Sequence, residues 1–357
     1  MKISIIGAGP VGGYLASLLA KDHEVLLFED HKEIGNPVQC TGLVTDSMNE
    51  IVELKNQFII NKIKRIRVIA PNKKSIELNL KNENIVLDRQ KFDSYLVNQA
   101  VDKGIKLFFD HKFKDFSNNE ITFENQNKFK TDILVGADGP FSKVAKSANL
   151  YGNRKFFIAP QAVVKGNFDK DIFEVYLGTG DFAWVVPENE EVARIGLVTK
   201  DKYEASIVFK NLLKRYREVL CYQSGLIPIH NPKIKTQKDN IYLMGDAACQ
   251  TKANTHGGLI PGMIAAQEFK NSLNNGHSYD ELWRKRIGKD LAIALKMRKI
   301  LDKFNENDFN KLVGLCDKKK VKEILETYDR DFPSKFVAKL ILAEPRFLKF
   351  STKILFN

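Results

Sequence analysis

The sequence has 357 residues, of which 43% are hydrophobic and 28% charged, and its formal net charge is +12. These values are typical of a soluble globular chain long enough for two domains, and no apolar run approaches the roughly 18 residues that span a bilayer. Four scattered cysteines without a C-x-x-C pair suit a reducing cytoplasm and argue against a zinc site or an iron–sulfur cluster.

The first thirty residues predict a strand, a glycine turn, a helix, a second strand and an acid. The apolar run 2–6 leads into Gly7-Ala8-Gly9-Pro10-Val11-Gly12, a helix is predicted over 11–20, and a strand over 24–28 ends at Glu29. A lone G-x-G-x-x-G is a weak signal. In this order of elements, however, it is the dinucleotide-binding fingerprint.

Each residue of the fingerprint has a physical role at a dinucleotide site. Gly7 permits the tight turn, Gly9 lets the backbone approach a pyrophosphate, and Gly12 lets the helix pack closely on the strand. The helix N-terminus offers N–H groups and a partial positive charge to the phosphates. Glu29 can accept both hydroxyls of an adenosine ribose and would repel a 2′-phosphate. The pattern therefore favours FAD or NAD over NADP.

Two later segments repeat the pattern of an apolar strand that ends in glycine and aspartate. The first ends in Gly136-Ala137-Asp138-Gly139 and the second in Gly245-Asp246-Ala247-Ala248, after which Gly257-Gly258-Leu259 opens a helix. Strand-forming residues are abundant in the stretches that separate the three glycine segments. They predict a second sheet from residues 59–69, 75–80 and 156–198.

These three segments, with Arg89 in a D-R-x-x-F-D stretch, resemble FAD-containing proteins of the p-hydroxybenzoate hydroxylase-like fold. The resemblance implies that FAD is the cofactor and that Asp246 hydrogen-bonds its ribityl chain. It also implies that Arg89 lies along the ribityl–phosphate region and that the helix opened by residues 257–259 starts near the flavin pyrimidine edge. The cofactor-binding residues so predicted are Gly7, Gly9, Gly12, Glu29, Cys40, Thr41, Gly42, Arg89, Asp138, Gly139, Gly245, Asp246, Gly257, Gly258 and Leu259.

Two further motifs resemble the geranylgeranyl reductase family. Residues 37–42 match its P-x-x-C-x-G loop, and residues 182–187 resemble its Y-x-W-x-F-P strand. Membership would imply hydride transfer from reduced flavin to isolated C=C bonds of polyprenyl chains, in archaea those of ether phospholipids and in phototrophs the chlorophyll side chain or its precursor. Phe182 and Val186 depart from the family's Tyr and Phe, and His256 replaces a third glycine.

The resemblance names Cys40, Trp184 and His256 as candidates for the reaction itself. Cys40 would contact FAD or substrate rather than act as a true acid, and His256 would place a titratable group close to the flavin. Trp184 would line a dry substrate channel, although an ordinary core aromatic remains the alternative. No metal site is predicted.

The predicted architecture is therefore α/β, with a Rossmann-type FAD-binding domain interrupted by a β-rich substrate domain and followed by a helical C-terminal region. The predicted boundaries are 1–58, 82–150 and 240–275 for the FAD-binding domain, 59–81 and 151–239 for the substrate domain, and 276–357 for the basic helical region.

Two other functions remain open. A flavin monooxygenase or halogenase of the same fold would act on an aromatic substrate, but the first Trp of the halogenase W-x-W-x-I-P segment is absent. A nucleic-acid-associated flavoprotein would explain the basic C-terminus, but no nucleic-acid motif is present, and no nucleic-acid partner is expected. Because no second dinucleotide fingerprint exists, the electrons must come from transiently bound NAD(P)H or a ferredoxin-like protein.

The C-terminus is basic and amphipathic. Residues 283–357 contain 19 Lys and Arg against 10 Asp and Glu, which indicates an anionic partner such as a membrane surface. The sequence predicts peripheral attachment of a cytoplasmic protein, or else an apolar face that packs on the protein's own core; Pro345 divides the segment. That face comprises Phe336, Leu340, Ala343, Phe347, Phe350 and Ile354, widened by Val337, Ile341, Leu348 and Leu355.

Overall fold

The computed structural model describes residues 1–354. These residues form two compact units, each assembled from separated stretches of the chain. Unit 1 consists of Met1–Val38, Arg89–Lys155 and Ile227–Ala292, and unit 2 of Gln39–Asp88, Phe156–Leu226 and the chain from Ile293 onward.

The strands and helices are labelled in chain order. The strands are β1 (Lys2–Ile6), β2 (Glu24–Phe28), β3 (Leu43–Val44), β4 (Ile59–Ile69), β5 (Ser75–Leu87), β6 (Lys106–Phe108), β7 (Phe113–Ser117), β8 (Glu120–Phe123), β9 (Lys128–Lys130), β10 (Ile133–Gly136), β11 (Phe156–Lys165), β12 (Ile172–Tyr176), β13 (Phe182–Pro187), β14 (Val192–Val198), β15 (Glu218–Pro228), β16 (Gln237–Lys238) and β17 (Ile241–Leu243). The helices are α1 (Pro10–Leu19), α2 (Arg89–Val101), α3 (Lys143–Ser147), α4 (Phe209–Leu213), α5 (Leu259–Asn275), α6 (Tyr279–Trp283), α7 (Lys289–Leu301), α8 (Glu306–Cys316), α9 (Lys319–Thr327), α10 (Val337–Ala343) and α11 (Leu348–Ser351).

The sheet of unit 1 has the strand order β16-β17-β10-β1-β2-β6, and β17, β10, β1, β2 and β6 run parallel. Its strands are nearly continuous apolar runs, as expected for a parallel sheet with both faces covered. The small antiparallel sheet β7-β8-β9 packs on one face through a cluster that includes Phe28 and Phe123, whose ring centroids are 4.6 Å apart. The predicted α/β, Rossmann-type architecture is confirmed.

The sheet of unit 2 has the strand order β15-β11-β14-β13-β12-β4-β5-β3. Apolar side chains on one face, among them Ala183 and Ile195, pack against the helical turns that end with α4. Trp184 and Arg194 alternate with these residues along their strands, so they belong to the opposite face. This is the second, β-rich sheet expected from the sequence.

The compact units divide the chain at different residues from the predicted domains. Residues 39–58 belong to unit 2 because β3 pairs with β5, where Leu43 lies opposite Val86. Residues 276–292 belong to unit 1, where the indole Nε1 of Trp283 donates to Thr236 Oγ1 at 2.8 Å. Contacts between residues far apart in the chain set both boundaries, strand pairing in the first case and side-chain packing in the second, so local sequence patterns do not predict them.

The C-terminal segment is broken rather than a single amphipathic helix. Pro345 lies between α10 and α11, as the sequence predicted, and Phe336 is buried at the start of α10. The rings of Phe350 and Phe304 lie 4.8 Å apart, so part of the predicted apolar face packs on unit 2 itself. Leu355 lies outside the described residues. Within residues 1–354, no helix is long and apolar enough to cross a membrane.

Candidate functional site

The three glycine segments follow three neighbouring parallel strands of unit 1. β1 ends before Gly7, β10 ends at Gly136, β17 ends before Gly245, and Glu29 follows the adjacent strand β2. Carboxyl ends of parallel strands meet at one edge of a sheet, which is where such folds bind nucleotides. Tertiary structure therefore brings together segments that lie more than a hundred residues apart in the chain.

Glycines allow these segments to touch. A Cβ atom at Gly12 would lie 1.9 Å from the carbonyl oxygen of Gly7, and one at Gly7 would lie 2.5 Å from the carbonyl oxygen of Ala137. A Cβ atom at Gly262 would lie 2.7 Å from Val11, which also borders Gly245. Gly7 has a φ of 99°, a conformation that favours glycine. The roles expected of Gly7 and Gly12 match these contacts.

Glu29 is held at the end of β2 by backbone and side-chain donors. Its Oε2 accepts from Ala8 N at 2.8 Å, and its Oε1 accepts from His31 N at 3.1 Å and contacts His31 Nδ1 at 2.7 Å. Burial is the main cause that raises the pKa of Glu29, while the carboxylate raises the pKa of His31. The side chain is thus fixed beside the glycine turn, where a ribose would bind.

Asp246 stands beside the N-terminus of α5. A Cβ atom at Gly258 would lie 2.8 Å from Asp246 Oδ1, so a side chain there would displace the carboxylate. Desolvation raises the pKa of Asp246 from 3.8 to about 6, although the positive charges of Arg89 and Arg154 oppose the shift. No described residue donates a hydrogen bond to this carboxylate, which leaves it available to a hydroxyl-bearing ligand.

Two arginines organise the surroundings of Asp246. Arg89 forms a forked pair with Asp93, with contacts of 3.0 and 2.8 Å, at the first turn of α2. Arg154 was not predicted from the sequence. It is buried, donates to Ala247 O at 2.7 Å and to Tyr151 O at 2.7 Å, and so fixes the turn that contains Asp246. Both acceptors are backbone carbonyl oxygens, which any residue type can supply, and Ala247 lies 93 residues away in the chain. No sequence motif therefore identifies Arg154.

Asp138 and Gly139 follow β10. Asp138 Oδ1 accepts from Ser142 Oγ at 2.6 Å and Oδ2 accepts from Val144 N at 3.1 Å, so the carboxylate caps the start of α3. Desolvation raises the pKa of Asp138 against these hydrogen bonds. Gly139 has a φ of 75° and shapes the same turn. Any contact of Asp138 with a cofactor remains a prediction.

The turn before α5 contains His256. Its φ of 59° is a left-handed conformation, which explains why glycine is usual at this position in the family it resembles. A Cβ atom at the next residue, Gly257, would lie 3.1 Å from Nζ of the buried Lys252. Gly258 caps α5, and Leu259 is its first residue.

The residues of this site fit FAD. A Cβ atom at Gly9 would have no described atom within 4 Å, so the space above this turn can receive a pyrophosphate. The buried Oγ1 of Thr255 finds no hydrogen-bond partner in residues 1–354, as expected for a group that meets a ligand. Together with the Asp246 carboxylate and the Glu29 carboxylate, these groups match a polyol and a phosphate chain.

Cys40, Thr41, Gly42 and Trp184 belong to unit 2, whereas His256 belongs to unit 1. Cys40 is half-buried, and its Sγ accepts from Gly42 N at 3.3 Å in a turn where Gly42 has a φ of 72°. Trp184 is 8% exposed. Gln161, which no sequence motif indicated, contacts both the Thr41 and the Trp184 side chains.

We expect Gly9→Ala to fold normally and to bind FAD about 5- to 140-fold more weakly, because overpacking costs about 1–3 kcal/mol. Flavin absorbance per protein and the thermal midpoint of the FAD-free protein would measure the two effects. Gly314→Ala is the matched control, since a Cβ atom there also has no described neighbour within 4 Å. Full flavin retention by Gly9→Ala would contradict the assignment of this turn to the pyrophosphate.

The raised pKa of Asp246 predicts that, in FAD-free protein, Asp246→Asn increases the free energy of unfolding by an amount that depends on pH. Between pH 3.8 and about 6 the native state keeps a proton that the unfolded chain has released, so wild-type stability falls as pH rises through this window. We expect the variant to gain at most about 3 kcal/mol relative to wild type above this window and nothing below it. Urea denaturation across the range would measure it, and a pH-independent difference would contradict it.

A family model described as an FAD binding domain matches residues 1–213. The chain is 28% identical to digeranylgeranylglycerophospholipid reductase 2 of Methanothermobacter thermautotrophicus, over 91% of this chain and 96% of that one. It is 27% identical to the digeranylgeranylglycerophospholipid reductase of Methanocaldococcus jannaschii, over 99% of this chain and 98% of that one.

Among solved structures, a geranylgeranyl bacteriochlorophyll reductase-like protein of Thermoplasma acidophilum shares the fold. Its TM-score is 0.81 at 20% identity, and the match covers 98% of this chain and 97% of that one. The family model matches more than half of the chain and agrees with the site assembled at the strand ends of unit 1. The chain therefore belongs to the FAD-binding domain family and is an FAD-dependent oxidoreductase.

Proposed function

We propose that this oxidoreductase reduces C=C bonds in the geranylgeranyl chains of a lipid, with archaeal-type ether phospholipids as the substrate class. The observation that carries the proposal is the FAD site at the neighbouring strand ends of unit 1, in a chain similar over nearly its full length to relatives named digeranylgeranylglycerophospholipid reductase. The loop with Cys40 and the strand with Trp184 supply the substrate side.

On the cofactor side, each residue has a defined task. Glu29 and Asp246 accept hydrogen bonds from the ribose and ribityl hydroxyls, and Gly9 leaves room for the pyrophosphate. When bound and reduced, FAD would supply a hydride to one alkene carbon, and a proton must reach the other carbon to complete the reduction. The N-terminus of α5, capped by Gly258, offers N–H groups where negative charge develops, and His256 is the titratable group next to it.

On the substrate side, an isolated alkene has no carbonyl or charged group that protein side chains could bind. Positioning and water exclusion must therefore do most of the work. Trp184 and the ring of Phe182, 5.9 Å away, give the second sheet an apolar surface suited to a prenyl chain. We assign contact with substrate to Cys40 and Trp184, and we assign the electrons to NAD(P)H or a ferredoxin-like protein.

Lipid analysis after co-expression with a geranylgeranyl-lipid pathway tests the function. Wild type should yield lipids with two added hydrogens for each reduced double bond, detected by mass spectrometry. Cys40→Ser should keep its FAD and change the rate or the pattern of products, whereas Cys221→Ser, at an exposed position, should match wild type. Unreduced lipids with an FAD-loaded wild-type protein and a supplied reductant would refute the proposal.

A substrate with two C20 chains does not leave the bilayer freely, so we also propose peripheral attachment to the cytoplasmic face of the membrane. Leu342 is 81% exposed in α10 and Leu348 is 51% exposed in α11. Lys339, Arg346 and Lys349 are exposed in the same segment. Each cation near an anionic surface contributes about 1 kcal/mol, and the leucines add apolar area.

The double variant Leu342→Ser/Leu348→Ser should sediment less with anionic vesicles at low salt. These side chains are exposed, so the fold should be unaffected, whereas removing the whole tail would also remove the buried Phe336. Leu220→Ser, at a 44% exposed position outside the tail, is the matched control. Wild type that ignores vesicles, or a double variant that binds as well as wild type, would refute the attachment.

A further inference from the structure

Gln161 joins separated parts of unit 2 through one buried amide. The side chain is 3% exposed and lies on β11. Its Oε1 accepts from Thr41 Oγ1 at 2.5 Å and from Trp184 Nε1 at 3.3 Å, and its Nε2 donates to Gln223 Oε1. The loop that contains Cys40 and the strand that contains Trp184 thus share one acceptor.

The register of the sheet explains how the indole reaches this amide. Gly196 on β14 lies directly opposite Gln161 on β11 and directly opposite Trp184 on β13, so the three residues form one row across the sheet. A Cβ atom at Gly196 would lie 2.2 Å from Cζ2 of Trp184. The indole therefore occupies the space that a side chain at Gly196 would need, and any side chain there would displace it from Gln161.

The backbone of the loop has an anchor of its own. Arg194, 6% exposed, donates to Thr41 O at 2.5 Å and to Leu87 O at 3.0 Å, and it pairs with Glu188 at 2.6 Å. Arg194 fixes where the loop runs, whereas Gln161 fixes the Thr41 side chain relative to the indole. Losing the Gln161 acceptor should therefore loosen the loop surface without releasing the loop.

We propose that Gln161 is a positioning residue that holds the Cys40–Gly42 loop in one arrangement with Trp184, with Gly196 as its required neighbour. Its role in catalysis rests on the proposed function above. A prenyl chain offers only shape to its binding surface, so a shift between loop and indole alters which carbons are presented for reduction. Gln161 would then determine the pattern of reduced bonds.

Reactivity of the Cys40 thiol tests the positioning without any substrate. The exposed Cys221 is first replaced by serine. Burial raises the pKa of the Cys249 thiol to about 11 and that of the Cys316 thiol to about 12, so both react slowly. In this Cys221→Ser background a disulfide reagent therefore reports mainly on Cys40. We expect Gln161→Met, which removes the acceptor, and Gly196→Ala, which displaces the indole, each to change the labelling rate about tenfold.

Gln161→Glu is the matched control. It keeps an acceptor for Thr41 and Trp184, while the Gln223 amide can turn to donate to it, so its labelling rate should return to that of the parent. Equal labelling of the parent, Gln161→Met and Gln161→Glu would overturn the proposal, as would a Glu variant that behaves like the Met variant.

The same variants in the lipid assay separate this inference from the proposed function. We expect Gln161→Met to keep its FAD and shift the product pattern, and Gln161→Glu to restore it. If the thiol results hold but no protein reduces lipid, the positioning stands and the proposed function fails. If wild type reduces lipid and Gln161→Met gives the same pattern at the same kcat and KM, the positioning role is refuted.

Discussion

The close backbone approach around the first glycine turn is the constraint on which unit 1 depends. Side chains at Gly7 or Gly12 would collide with carbonyl oxygens at 2.5 Å or less, and one at Gly262 would collide with Val11. Without these glycines α1 could not pack on β1, and the turns after β10 and β17 could not reach the same edge of the sheet. The cofactor site is thus a consequence of backbone packing before it is a matter of polar side chains.

At the carboxylates of this edge, the cost of burying a negative charge is opposed by hydrogen bonds or nearby positive charges. Burial raises the pKa of Glu29, Asp138 and Asp246, so their ionised forms are disfavoured where they stand. Glu29 and Asp138 accept hydrogen bonds from N–H or O–H donors of the protein. For Asp246, the opposing influences among residues 1–354 are the positive charges of Arg89 and Arg154. A ligand with hydroxyl donors could supply the hydrogen bonds that Asp246 lacks, which is the physical reason for our proposal that FAD binds there.

In unit 2, a glycine again makes room for close packing, and a buried polar side chain again fixes its neighbours. Gly196 has no side chain, so the Trp184 indole can occupy the space above it, and Gln161 then accepts a hydrogen bond from the indole N–H. One buried amide thereby fixes a large aromatic and a loop that enters from 120 residues away. If this surface receives a prenyl chain, as we propose, it needs such internal anchors, because that substrate supplies no polar contact to order it.

The sequence by itself determined the strand, glycine and acid pattern of unit 1, because each signal there comes from residues adjacent in the chain. It also predicted the second sheet and the break at Pro345. It did not reveal Arg154, Gln161 or Arg194, nor the limits of the two units. Those depend on strand register and on hydrogen bonds between distant residues, which have no local periodicity. The sequence left open whether the C-terminal apolar face packs on the protein or stays exposed. The tertiary structure divides that face, because Phe336 is buried whereas Leu348 is exposed.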